Sequence, residues 1–194
     1  NPGDPENIHL VLKIQEQVHR ANKIIQSLLN FSRQKGEVPQ ELDLNKTINE
    51  SIALMEHTLK KKDIALKRDY NFKHKIVGYS IRLQQMFINL LLNAYDAVAD
   101  TNGVISISGL ETHSEILIRI KDNGKGIDPK YMKKIFDPFF TTKETGKGTG
   151  LGLSITYSIV QEHYGEITVN SKLEKGTTFI ITFPINSPLR SLKI

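Results

Sequence analysis

Four groups of residues in this sequence could bind a phosphorylated ligand, and the first is a row of polar side chains. Gln85, Asn89, Asn93 and Asp96 recur every three or four residues, which places them side by side on one face of a helix. Asn is unfavourable in the middle of a helix, and Mg²⁺ accepts carboxamide oxygens beside phosphate and water. The row therefore predicts a magnesium site formed by Asn93 and Asn89, although a solvated helix face could have the same spacing.

The second group is the turn 122–126. Asp122 ends a predicted strand, and Gly124 and Gly126 lie two and four residues after it. A carboxylate at the end of a strand can accept a hydrogen bond from an exocyclic amine such as that of adenine. Glycine lets the backbone turn sharply and approach a flat base. The spacing favours a base-binding turn, while an ordinary turn could have the same composition.

The third group is a glycine-rich run that opens a predicted helix. Glycine at every second position exposes backbone N–H groups, and the helix start adds its positive dipole end. The phosphate-binding residues predicted here are Gly146, Lys147, Gly148, Thr149, Gly150, Leu151, Gly152 and Leu153. The run is not a Walker A loop, because Lys147 is followed by Gly148 rather than Ser or Thr, and no strand precedes it as in a Rossmann fingerprint.

The fourth group is the segment 135–143, which lies between the two glycine turns. Its phenylalanines are expected to anchor a lid, while Thr141, Thr142 and Lys143 remain free to meet phosphate. A loop that caps the core is the alternative, and it could account for Phe136 and Phe139.

The elements that must position these groups follow from hydrophobic periodicity and turn residues. Helices are predicted over 44–59, with Asp43 as N-cap, and over 80–99, 130–136 and 151–163; strands are predicted over 64–72, 104–109, 115–122, 166–171 and 177–184. This order is not a regular alternation of strands and helices. It indicates an α+β fold, a two-layer α/β sandwich in which helices cover one face of a mixed sheet.

The N-terminal segment carries a heptad pattern over 8–33. One seam contains Val11, Val18 and Ile25, and the other contains Ile14, Ala21 and Leu28. Such a pattern favours a bundle or coiled-coil helix that pairs between molecules. A single amphipathic helix packed on its own domain is the alternative.

Composition excludes several classes of function. The 194 residues contain no Cys, so disulfides and cysteine metal sites are excluded. No apolar run approaches the ~20 residues of a membrane span, so no membrane contact is expected of this stretch. The net charge is +5, but the positive residues are scattered, and nucleic acid is therefore not expected as a partner. Lys143 and Lys147 suit a polyphosphate better.

Together these motifs resemble the catalytic and ATP-binding domain of sensor histidine kinases, within the GHKL superfamily. The segment 89–97 is similar to the N box, 122–126 to the first glycine box, 136–140 to the phenylalanine box, 148–153 to the second glycine box and 176–179 to the strand motif that closes the pocket. The resemblance covers 44–186 and is strongest to the nitrogen-regulator-like subgroup. It implies a Bergerat-type ATP-binding fold, ATP or ADP and Mg²⁺ as cofactors, and nucleotide contacts from Ile127, Phe140, Thr177 and Thr178 in addition to the residues above.

One position separates this sequence from the hydrolytic relatives. Gyrase-like and heat-shock ATPases carry a Glu four residues before the metal-binding Asn, whereas this sequence has Asn89. The resemblance thus implies an ATP-dependent protein-histidine kinase of a two-component system, which passes phosphate from a His to a response-regulator Asp. Asn89 and Lys143 are the candidate catalytic residues. A GHKL ATPase and a non-catalytic nucleotide-sensing module are the alternatives.

The resemblance also implies a domain organisation. Residues 1–36 are expected to be the second helix of a dimerisation hairpin, 37–43 a linker, 44–186 the ATP-binding domain and 187–194 a tail. His9 and His19 lack the acidic residue that follows a phosphoacceptor His, so the acceptor is expected on an upstream helix. A homodimer through the N-terminal helix, a response-regulator receiver domain as partner and a cytoplasmic location follow, whether or not the full-length protein is anchored in a membrane.

Overall fold

The computed structural model describes residues 37–98, 102–144 and 148–192, together with the single helical positions 9, 11 and 14. Helices are α1 (Leu44–Lys60), α2 (Ser80–Ala97) and α3 (Gly152–Glu162). Strands are β1 (Gln40–Leu42), β2 (Ala65–Asp69), β3 (Ile76–Gly78), β4 (Val104–Glu111), β5 (Glu115–Asp122), β6 (Glu166–Lys172) and β7 (Gly176–Pro184). Short 3₁₀ turns span Pro129–Tyr131 and Pro188–Leu192.

The main sheet has the strand order β2-β4-β5-β7-β6. β2 pairs with β4 in parallel, and the other neighbours in this sheet are antiparallel. α2 packs against both α1 and α3 and contacts β5 and β7. The predicted α+β fold with a mixed sheet is confirmed.

The core lies between the sheet and the helices. Ile116, Ile118 and Ile120 alternate along β5 and are almost fully buried, as are Phe87 and Leu90 on the apolar face of α2. Each such side chain contributes about 1.5–3 kcal/mol when fully buried. This packing fixes the apolar face of α2, and the Asn residues consequently face another direction.

The strand predicted over 64–72 is shorter than expected, because it ends at Asp69. Phe72 is buried, but its backbone bonds to the Asn45 side chain instead of to a strand. The Phe72 N–H donates to Asn45 Oδ1 at 3.0 Å, and Asn45 Nδ2 donates to the Phe72 carbonyl oxygen at 2.8 Å. The predicted N-cap of α1 is confirmed, since Asp43 Oδ1 accepts from the Asn45 N–H at 2.8 Å.

β1 and β3 were not predicted, because each has only three residues and too little periodicity to detect. They pair antiparallel, with Gln40 opposite Gly78, so part of the predicted linker packs on the domain. The helix predicted over 130–136 is instead the 3₁₀ turn Pro129–Tyr131. The heptad pattern of 8–33 lies outside the described residues except at positions 9, 11 and 14. Of the helices described, none has the length and apolarity to cross a membrane.

Candidate functional site

A cavity of about 430 Å³ lies where α2, the end of β5, the start of β7 and the segments 125–143 and 148–153 meet. The predicted site residues that line it are Asn89, Asn93, Asp96, Asp122, Gly126, Ile127, Phe140, Thr141, Thr142, Lys143, Gly148, Thr149, Gly150, Gly152, Leu153 and Thr177. The structure therefore brings all four predicted motifs to one cavity.

Some predicted site residues lie beside the cavity rather than on its wall. Gly124 packs against the end of α2, where an added Cβ would lie 2.4 Å from a backbone carbonyl oxygen. Leu151 is buried at the start of α3. Thr178 follows Thr177 on β7 and therefore points to the opposite face of the sheet. Gly146 and Lys147 lie outside the described residues.

The sequence-based prediction missed several lining residues, namely Leu92, Ala97, Lys125, Tyr131, Ile135 and Phe179. Phe179 could have been found, because it shares a strand face with Thr177 two residues earlier. Tyr131 could not, since its place depends on the 3₁₀ turn and on the Phe140 ring 5.5 Å away.

Asp122 ends β5 and is only 4% exposed. Its Oδ1 atom accepts hydrogen bonds from the Gly124 N–H at 2.8 Å and the Thr177 N–H at 3.3 Å. Burial raises the pKa of the Asp122 carboxyl above its usual value, and these backbone hydrogen bonds oppose the rise. The carboxyl group is thus held in one orientation while retaining capacity to accept a further hydrogen bond from a ligand.

The start of β7 packs against the backbone of Asp122. Gly176 has a φ of +96°, and an added Cβ would lie 2.0 Å from the Asp122 carbonyl oxygen, so this position requires glycine. The Ile127 N–H donates to Ser171 Oγ at 2.8 Å, and that hydroxyl lies 2.9 Å from Thr177 Oγ1. β6 and β7 therefore fix the turn that follows Asp122.

Two asparagines of α2 face the cavity one helical turn apart. Asn89 Nδ2 donates to the Gly152 carbonyl oxygen at 3.1 Å, which ties α2 to the start of α3. This bond uses the amide nitrogen and leaves Asn89 Oδ1 as an acceptor. Gln85 does not line the cavity, and among the described residues its Oε1 atom is buried without a hydrogen-bond partner.

A lysine from the lid reaches the polar row of α2. Lys143 Nζ lies 2.5 Å from Asp96 Oδ2 and 3.5 Å from Asn93 Oδ1. A lone carboxylate here would repel phosphate, but Lys143 compensates the charge of Asp96. The structure thus places a cation beside the predicted metal ligands.

The lid and the glycine-rich segment pack directly on each other. Gly150 has a φ of +68°, and an added Cβ would lie 2.2 Å from the Phe139 carbonyl carbon. A Cβ on Gly148 would lie 2.5 Å from Thr141 Oγ1. Phe140 packs on a neighbouring ring as predicted, whereas Phe139 is 61% exposed and is not an anchor, because its φ of +66° turns it outward.

The donor atoms suit a hard cation. Asn89, Asn93 and Asp96 line the cavity and carry amide and carboxylate oxygens, which are hard ligands that fit Mg²⁺. Within residues 37–98, 102–144 and 148–192, no cluster of three or more His, Asp or Glu could hold a metal ion by itself. A metal at this place therefore needs phosphate oxygens or water to complete its coordination.

Comparison with known proteins places these features in a family. Residues 78–187 match the family described as histidine kinase-, DNA gyrase B-, and HSP90-like ATPase. Sensor histidine kinase ZraS of Escherichia coli K12 is 35% identical over 186 residues, which are 95% of this chain and 39% of ZraS. The chain spans well under half the length of the curated relatives it matches.

Solved structures agree with this match. The catalytic domain of histidine kinase ThkA is 33% identical, with a TM-score of 0.68 over 77% of this chain and 99% of that domain. Histidine kinase ThkA in complex with the response regulator protein TrrA is 28% identical, with a TM-score of 0.73 over 94% of this chain and 53% of the kinase chain.

Proposed function

The chain belongs to the histidine kinase-, DNA gyrase B-, and HSP90-like ATPase family, and from this premise we propose that it is the ATP-binding catalytic part of a sensor histidine kinase. The enzyme uses Mg-ATP to phosphorylate a His side chain of a protein. One observation carries the proposal: a buried carboxylate, two helix amides, a lysine and a glycine-rich helix start meet in a single cavity.

Each part of the cavity suits one part of the nucleotide. Asp122 accepts a hydrogen bond from the adenine amine through its second oxygen, Oδ2, because Oδ1 already accepts from two backbone N–H groups. The N–H groups at the start of α3, after Gly150 and Gly152, face the phosphates. Lys143 leaves Asp96 to meet the terminal phosphate, which carries the larger negative charge.

Catalysis in this arrangement depends on position and charge. Phosphoryl transfer passes through a loose transition state, so orientation and neutralisation of charge provide most of the acceleration. Bound Mg²⁺ would neutralise charge on the phosphates. Asn93 and Asn89 would hold it with their Oδ1 atoms, and Lys143 would orient the transferred group toward the acceptor His.

Transfer is favoured over hydrolysis, because Asn89 stands at the position where the resemblance implies a water-activating Glu in the hydrolytic relatives. Asn89 is an amide, and its nitrogen is bonded to the Gly152 carbonyl. Asp122 is buried and its carboxylate is bonded to backbone N–H groups, so it is not free to activate water. An incoming imidazole needs no such base, since it is itself the nucleophile.

The whole protein would act in a phosphorelay. We infer a homodimer through the helix predicted over 8–33, a response-regulator receiver domain as the next phosphate acceptor and a cytoplasmic location. The complex of histidine kinase ThkA with a response regulator supports the second of these.

Titration calorimetry with Mg-ATP tests the site. The unaltered chain should bind, and Asn93→Ala should lose at least about tenfold in affinity, or roughly 1.4 kcal/mol. Asn49→Ala, an exposed Asn on α1 away from the cavity, is the control. Unchanged affinity in Asn93→Ala would remove this residue from the metal site.

Transfer is tested by adding a phosphotransfer hairpin that contains its acceptor His, together with γ-labelled ATP. Label on the added hairpin supports the kinase. Steady hydrolysis without transfer would instead indicate a GHKL ATPase, and binding without either reaction would indicate a nucleotide-sensing module.

A further inference from the structure

The helix that carries both asparagines does not stabilise its own ends. Its N-cap residue, Tyr79, makes no side-chain hydrogen bond to the helix, its first turn has no acidic residue and its last turn has no basic residue. A helix start leaves backbone N–H groups without partners and carries a partial positive charge. Any stabilisation of these helix ends by the protein must therefore come from groups elsewhere in the chain.

Glu37 provides one of these groups. Its Oε1 atom accepts a hydrogen bond from the Ile81 N–H, in the first turn of α2, at 2.9 Å. The pairing of β1 with β3, with Gln40 opposite Gly78, brings the segment that precedes β1 alongside the start of α2. Glu37 Oε2 is buried and has no hydrogen-bond partner in the described part of the chain, so the side chain is packed against the helix start.

Other outside groups fix the same helix. The Tyr79 N–H donates to His163 Nε2 at 2.9 Å, which ties the start of α2 to the end of α3. At the opposite end, Lys62 Nζ donates to the Tyr95 and Val98 carbonyl oxygens at 3.3 Å. A carboxylate at the start and an ammonium group at the end both match the helix dipole.

We propose that Glu37 is a positioning residue for the nucleotide site, coupling the segment that enters the domain to α2. This inference rests on the proposed function. Because α2 is one continuous helix, a change at Ile81 alters how Asn89 meets Gly152 and how Asn93 faces the phosphates. Displacement of the segment 37–42 withdraws Glu37 from the start of α2 and weakens nucleotide binding. Movement of the part of the chain that precedes this segment can thereby change the affinity of the site.

A matched pair of variants tests the coupling. Glu37→Ala and Asp43→Ala each remove a carboxylate that accepts a helix N–H, but Asp43 caps α1, which contributes no residue to the cavity wall. Both should lower the melting temperature. Glu37→Ala alone should weaken Mg-ATP binding, by about fivefold, while Glu37→Gln should retain most of the affinity because its amide oxygen still accepts the bond. Equal affinity losses in both Ala variants, or none in either, would overturn the coupling.

A second measurement needs no nucleotide. Without ligand, Glu37→Ala should speed amide hydrogen exchange at Ile81 and shift the NMR signal of the Asn89 side-chain amide, whereas Asp43→Ala should do neither. An unchanged Asn89 signal would overturn the positioning role. If the unaltered chain fails to bind Mg-ATP, the proposed function is wrong, and this measurement still decides whether Glu37 controls α2.

Discussion

The ammonium group of Lys143 lies 2.5 Å from the Asp96 carboxylate, and this ion pair joins the lid to α2 inside the candidate site. Both side chains are partly exposed, at 31% and 40%, so the pair itself contributes little to stability. Its position matters more than its strength. We expect phosphate oxygens that enter the cavity to compete with Asp96 for the same lysine, so that the pair separates when nucleotide binds.

Replacement of Lys143 by Ala should lower the affinity for ATP by about tenfold, because Asp96 is then left uncompensated beside the phosphates. The loss should shrink at high salt, where exposed charges are screened. Calorimetry at two salt concentrations measures both effects. Lys46→Ala, an exposed lysine on α1, should bind like the unaltered chain. An ATP affinity that Lys143→Ala does not change would separate this lysine from the phosphates.

Asp122→Asn should leave the fold nearly intact and change the preference for the base. The Asn oxygen can still accept from Gly124 and Thr177, so the free energy of unfolding should change by less than about 1 kcal/mol. In the proposed site the new NH₂ group would face the adenine amine, and two donors cannot bond to each other. ATP affinity should fall at least about tenfold relative to GTP in a competition assay. Asp128→Asn, in the exposed turn beyond, serves as control, and an unchanged ATP preference in Asp122→Asn would contradict the assignment.

Two glycines of the same motif should respond differently to Ala. Gly150 has a positive φ and its Cβ would overlap Phe139, so Gly150→Ala should cost about 1–3 kcal/mol of stability and weaken nucleotide binding. At Gly152 a Cβ would meet only Asn89 Cγ at 3.9 Å, within a helix, so Gly152→Ala should be neutral or stabilising by up to about 1 kcal/mol. Thermal denaturation of both variants measures the difference. Equal destabilisation by Gly150→Ala and Gly152→Ala would contradict the close packing of the lid on the glycine-rich segment.

Stability should decrease as the pH falls below about 6.5, in part because of His163. Burial lowers the pKa of His163 in the fold, and Arg82 adds to this, while the bond to the Ile159 carbonyl and Glu162 oppose it. Below about pH 6.5, the unfolded chain therefore binds a proton at His163 more readily than the folded chain does. Between the pKa values of His163 in the unfolded and folded chains, each unit by which the pH falls lowers the free energy of unfolding by roughly 1.4 kcal/mol. Above the pKa of the unfolded chain this loss is absent.

Chemical denaturation on both sides of pH 6.5 tests this dependence. His163→Gln should be less stable throughout, because the bond to the Tyr79 N–H is altered, but its stability should vary less with pH. His113→Gln, on an exposed turn, should keep the pH dependence of the unaltered chain. A pH profile that is the same in His163→Gln would assign the effect to other groups.

The long, strongly periodic elements were predictable from sequence, because burial of one face imposes a visible pattern. The alternating isoleucines of β5 and the apolar face of α2 both occur where expected. The motifs of the candidate site were also visible in the sequence, because few structural roles explain Asn in the middle of a helix or glycine at every second position. The roles of single residues at the site stay predictions.

What could not be predicted depends on contacts between distant residues. Three-residue strands such as β1 have no period to detect, and Phe72 lies outside the sheet, where the Asn45 side chain bonds to its backbone in place of a strand. The outward turn of Phe139 follows from a positive φ beside Gly150, which no propensity specifies. The partnership of Glu37 with Ile81 is likewise a consequence of the β1–β3 pairing.

The parallel pairing of β2 with β4 has a consequence for how the protein folds. The connection between these strands contains β3 and all of α2, so the pairing cannot close until a long stretch of chain has been organised. Pairings distant in sequence form slowly, because loop entropy is lost before contacts repay it. During refolding, we therefore expect the hairpins β4–β5 and β6–β7 to form before the parallel β2–β4 pairing, and the candidate site, which needs both α2 and β5 in place, to be completed after these hairpins.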